Sequence, residues 1–157
     1  SGILHPEIYS KALEKLELKA YELQFKSNFL FRGEDKVVSM LSEGAMGWAY
    51  GISGSGLKLN ETDYKKDSYV ALTKDENYHN ENLSYVQRKT IMRVIDEIEY
   101  VDNLYHYSML FSELNDTLYG YVISPSKLSQ MHDIIKFRNR LNEAEFDVNY
   151  IKKLLND

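Results

Sequence analysis

The residues best suited to chemistry are scattered along the chain. Arg32 ends the apolar run F-L-F-R-G, Thr73 ends Y-V-A-L-T, and Glu143 and Glu145 form E-A-E ahead of Phe146. A guanidinium, a hydroxyl and two carboxylates two residues apart are the types that bind anionic groups and stabilise developing positive charge. Other chemistries find less support. His5, His79, His106 and His132 form no i,i+4 pair and no H-E-x-x-H, so no metal site is expected without convergence in the fold. With zero cysteines, thiolate zinc sites, iron–sulfur clusters, disulfides and a cysteine nucleophile are excluded. Gly51, Gly54 and Gly56 read G-I-S-G-S-G, but a polar run follows rather than a helix, and no G-K-[ST] occurs. A lid or tight hairpin is expected there, not a dinucleotide-binding turn or a P-loop.

The order Arg32, Thr73, Glu143 and Glu145 resembles the ADP-ribosyltransferase fold. Its members carry an Arg at the end of an early strand, often followed by Gly as in Arg32-Gly33, then a Ser or Thr on a later strand and a Q/E-x-E pair near the end of the domain. The resemblance covers Phe29 to Phe146. It implies NAD as cofactor and a transferase modifying a protein or nucleic-acid acceptor. It gives Glu145 the ribose hydroxyl, Glu143 the acceptor, Arg32 and Gly33 the cofactor's phosphates or ribose, and Thr73 the fixing of Arg or Glu. Trp48, Tyr50 and Tyr78 are the aromatic candidates to sandwich nicotinamide. The sequence L-Y-G-Y-V-I followed by S-P-S-K-L is similar to a late strand and turn in small phage and bacterial proteins of this type. Two departures are visible: Ala71-Leu72-Thr73 stands where the family has Ser-Thr-Ser, and E-A-E lies close to the chain's end.

The elements that must position these residues read as a single α+β domain over 1–157, with short, mostly antiparallel strands. Tyr9, Leu13, Leu16, Ala20 and Leu23 recur at spacings of four and three, predicting an N-terminal helix over 6–27 with Pro6 in its first turn. A transferase-like core would then span 28–149. Phe29–Phe31 reads as a buried strand, and Val37, Val38 and Leu41 as a short helix stopped at Gly44. Gly44–Gly56 reads as a loop or a bent strand, 60–67 as an exposed connection, and Ser68–Thr73 as a strand. Ile91, Val94, Ile95, Ile98 and Val101 predict a central amphipathic helix from Tyr85 to about Asp102. Periodicity leaves Tyr105–Leu114 open between strand and helix. Leu118–Ile123 is the best strand, Ser124-Pro125 starts a helical turn, and Ile134-Ile135 reads as one more strand. Asn142–Phe146 fits a loop or the first turn of a helix, and Tyr150–Leu155 a helix or an edge strand.

Length and composition set the frame. The chain has 157 residues, 43% of them hydrophobic, enough for one core. Its net charge of −5 disfavours a non-specific nucleic-acid binder. No apolar run reaches the ~18–20 residues of a membrane span, so no membrane partner is expected. The lack of cysteine and of a signal-like N-terminus fits a cytoplasmic, reducing setting, and Ser1-Gly2 is compatible with a piece of a longer chain. Thirteen tyrosines support a second reading: a non-catalytic acidic binding protein, such as an immunity protein, an inhibitor or a phage accessory factor. Tyrosine offers large contact area with few rotatable bonds. The acidic surfaces for that role are Glu97–Asp102 and Glu113–Asp116, and the partner a basic protein.

Overall fold

The computed structural model describes residues 5–17, 21–42, 44–54, 57–59, 83–144 and 147–156. Helix α1 spans Pro6–Lys15, with Pro6 in its first turn. It is shorter than the 6–27 expected from its stripe. Glu17 takes a left-handed backbone, φ 53°, which ends the helix, and Glu22–Lys26 forms strand β1. Along β1, Leu23 and Phe25 are buried between exposed Glu22 and Gln24, the period of two that a half-buried strand requires. Phe29–Phe31 is a turn, not a strand: Asn28 and Phe31 form an antiparallel bridge, and Phe31 is 40% exposed. A 3-10 turn over Gly33–Lys36 and the short helix α2, Val38–Ser42, follow. Gly44 sits beyond α2 at φ +99°, in the expected role of a glycine cap.

The glycine-rich segment resolves into strand β2, Met46–Tyr50, and a turn in which Gly51 and Gly54 both have positive φ. Ser68–Thr73 lies outside the described residues. Helix α3, Tyr85–Glu97, opens on a reciprocal cap between Ser84 and Gln87 and stops five residues short of Asp102. The segment left open by periodicity is helix α4, Leu104–Glu113, capped by Asn103. Of L-Y-G-Y-V-I only Gly120–Tyr121 forms strand β3, although Tyr119 N–H to Gly47 O and Val122 N–H to Ala49 O, both 2.8 Å, extend the contact with β2. Ser124-Pro125 does not start a helix. Helix α5 runs Leu128–Glu143, with Gln130 Oε1 accepting from the N–H groups of Ser126 and Lys127. Ile134-Ile135 lies inside α5, Ile134 buried and Ile135 exposed. The tail is helix α6, Val148–Asn156.

The mixed α and β composition stands, but the strand orientation is corrected. The described strands form one sheet in the order β1-β2-β3, with both pairings parallel rather than antiparallel. The connections explain it. A parallel pair needs a crossover, and the 3-10 turn with α2 lies between β1 and β2, while α3 and α4 lie between β2 and β3. The buried side chains form two clusters. The larger gathers Ala49 and Ile52 with residues of α3, α4, α5 and α6. The smaller holds Leu23, Phe25, Val37 and Met40. Half-buried Leu118 packs against both. No helix among the described residues is long and apolar enough to cross a membrane.

Candidate functional site

The most elaborate polar cluster lies beyond the carboxyl end of β1. Ser27 N–H donates to Tyr50 O, continuing the β1–β2 contact. Asn28 then fixes the turn: its Oδ1 accepts from the N–H groups of Leu30 at 2.9 Å and Phe31 at 3.0 Å, and its Nδ2 donates to Gly51 O. This brings Arg32-Gly33-Glu34 back over β1. A Cβ at Gly33 would lie 1.7 Å from Lys26 O, so only glycine permits that approach. Glu34, 2% exposed, accepts from Ser27 Oγ, from Asn115 Nδ2 at 2.8 Å and from Arg32 Nε at 3.3 Å. Burial alone would raise its pKa. The bonds from Ser27, its own backbone N–H, Asn115 and Arg32 outweigh that and hold the carboxyl below the usual value.

Arg32 therefore has a structural partner, while its side chain remains 60% exposed. It borders a groove of about 590 Å³ with Asp35, Val38, Leu41, Asp116 and Tyr119. A second recess of about 430 Å³ shares Leu118 and Tyr119 with this groove, and is bordered also by Trp48, Glu113, Tyr121 and Arg138. Tyr119 stands between the two hollows, 65% exposed, its ring edge-on to Trp48 at 5.2 Å. Gly120 makes this packing possible, since a Cβ there would lie 2.7 Å from Trp48 Cζ3. In the recess Arg138 pairs with Glu113 and donates to Tyr121 Oη at 3.4 Å. Burial, and next the Glu113 carboxylate, push the Tyr121 phenol up to about 12. At the groove's edge Asp116 meets Lys152 of α6.

The residues singled out from sequence are thus distributed. Arg32 borders the groove and Trp48 the recess. Gly33 packs on β1. Tyr50 pairs with Lys26 at the end of the ladder and borders neither hollow. Glu143 is the exposed last residue of α5, also bordering neither. Thr73, Tyr78 and Glu145 lie outside the described residues. Of the two acidic surfaces, Glu97–Asp102 has Glu97 and Asp102 paired within the chain and Glu99 exposed. Glu97 bonds Arg93 at 2.8 Å and Tyr150 Oη, Asp102 bonds Arg140 at 3.3 Å, and Ile98 and Val101 are buried. Glu113 and Asp116 do border the hollows beside Tyr119. Sequence reasoning missed Glu34, although R-G-E-D directly after an apolar run was a usable signal of a charge beside the core.

Compared with protein-family models, with curated proteins and with solved structures, the chain matches none.

Proposed function

We propose that this chain is a binding protein that receives a basic segment of a partner protein on the face around Tyr119. The observation that carries this reading is an exposed tyrosine, buttressed edge-on by Trp48, between two hollows whose borders hold four carboxylates and two guanidinium groups. Protein interfaces concentrate their energy in such aromatic anchors beside pockets. Lys152, which pairs with Asp116, leaves that face an excess of one negative charge; together with the whole-chain charge of −5, it favours a cationic partner and faster encounter with it. Val38, 59% exposed, and Leu41 give the groove apolar surface for aliphatic side chains.

The NAD-dependent transferase reading makes a different demand: Arg32, Thr73 and Glu145 in one cleft, with Glu143 beside the acceptor. Trp48 is the chain's one tryptophan, so its emission separates the two readings. A Lys- and Leu-rich peptide should shift that emission, while NAD should not. Tyr119→Ala and Asp116→Lys should each weaken the peptide by about tenfold or more, and added salt should weaken it further. A response to NAD with none to the peptide would sink the binding reading in favour of the transferase.

A further inference from the structure

A separate cleft of about 670 Å³ opens beyond the carboxyl ends of β2 and β3. The segments that follow the two strands, Ser53 with Leu57–Leu59 and Ser124–Ser126, form one side of it, and the start of α4 with the first two turns of α5 form the other. In sheets with parallel strands this end is where ligands are received, because the loops there diverge over helix N-termini. The volume falls within the ~300–1,000 Å³ range of small-molecule sites.

Its polar groups are held from behind. His106, 1% exposed, stacks on Phe137 with centroids 4.3 Å apart. Its Nδ1 accepts from Asp102 N–H at 3.2 Å, so the network assigns the ring proton to Nε2, which donates to Asp133 Oδ2 at 3.1 Å. A buried donor therefore fixes the Asp133 carboxylate at the cleft. Asp102 Oδ2 accepts from Arg140. Asn103 Oδ1 is occupied by the N–H groups of Tyr105 and His106, both at 2.9 Å. Gln130 Oε1 is likewise occupied by Ser126 and Lys127. Each amide thus keeps its NH₂ as a donor, beside two carboxylates that are acceptors.

This pattern selects a ligand class. The two carboxylates are matched in number by Lys58 of the lining and by Arg140, which pairs with Asp102, so the cleft has no net charge for an ionic ligand to balance. Planar acceptors and donors set beside Tyr105, Pro125 and Ile134 suit a molecule with hydroxyls on its edge and C–H groups on its faces. We propose that this cleft binds a neutral saccharide of one or two rings, its hydroxyls donating to Asp102 and Asp133 and accepting from Asn103 and Gln130. The cleft shares Ile134 with the recess beside Tyr119 but none of its polar groups, and its failure leaves the partner reading untouched.

Saturation-transfer NMR tests the proposal, with glucose, galactose, mannose, N-acetylglucosamine, maltose and lactose as probes at millimolar concentration. Ring-proton transfer from at least one of them is expected. Ser124 is exposed at the cleft, so Ser124→Tyr fills the space without entering the core and should abolish transfer. Asp133→Asn keeps an acceptor for His106 and should weaken binding by about tenfold. Tyr119→Ala should leave transfer unchanged. No transfer from any probe, transfer that survives Ser124→Tyr, or loss of transfer on adding inorganic phosphate would each overturn it.

Discussion

Glu34 shows most directly how one side chain joins separate parts of the chain. Its carboxylate receives Ser27 from the end of β1, Arg32 from the turn and Asn115 from the loop after α4. Glu34→Leu would leave those donors facing an apolar group, so it should destabilise the fold by about 3 kcal/mol, read as a lowered denaturation midpoint. The same network fixes a pH dependence. Burial acts to raise the Glu34 pKa, but the hydrogen bonds prevail and the folded value lies below the unfolded one. The stabilisation is therefore fully present above the unfolded value and is lost as pH falls through the folded one. Melting temperature should drop through the acid range in the wild type and drop less steeply in Glu34→Gln. Equal slopes in the two proteins would show that Glu34 is not the group responsible. Arg32 was legible as the arginine closing an apolar run. The contact between Glu34 and Asn115 was not, because the bond joins residues 81 positions apart, and no local pattern encodes such a contact.

Among the elements, local chemistry was legible at some ends and not at others. Pro6 starts α1 and Gly44 follows α2, each through residues adjacent in sequence, whereas Ser124-Pro125 starts no helix and the Ser84–Gln87 cap of α3 was not foreseen. Strand β1 was hidden because Leu23 prolongs the three-and-four spacing of Leu13, Leu16 and Ala20 while also alternating with Phe25. The left-handed turn at Glu17 decides between the two periods, and glutamate gives no advance sign of it. Strand orientation was likewise out of reach, since the helices that separate the strands, not the strands themselves, make the pairing parallel. The β1 turn carries a sharp prediction. Gly33 packs where any Cβ would meet Lys26 O at 1.7 Å, and backbone cannot swing aside as a flexible side chain can. Gly33→Ala should lift the turn from β1, costing about 3 kcal/mol and disturbing Arg32 and Glu34 with it. Gly44→Ala meets nothing within 4 Å and pays only for its positive φ, about 1 kcal/mol. Denaturation midpoints should rank the two variants in that order, and the reverse ranking would contradict this account of the turn.

In the molecule as a whole, the two clusters differ in size, and the Tyr119 face lies along their junction. The larger cluster takes side chains from four helices and from β2, whereas the smaller rests on Leu23, Phe25, Val37 and Met40. Free energies of local opening follow such differences in buried apolar contact. Amides of Leu23 and Phe25 should therefore exchange with solvent faster than those of Met109 and Leu110 in α4. The groove beside Tyr119 is bordered by Arg32, Val38 and Leu41 from the smaller cluster's side and by Asp116–Tyr119 from the loop that Leu118 anchors to both. A basic partner spanning that junction would favour the closed arrangement of both sides and stabilise the weaker one most, because a ligand that binds only the folded form suppresses opening by mass action. With the Lys- and Leu-rich peptide bound, exchange should slow in β1 and the 3-10 turn more than in α4, and the difference should shrink as salt screens the acidic rim. Slowing confined to α4, or none at saturating peptide, would place the partner elsewhere on the molecule and remove the junction from its recognition.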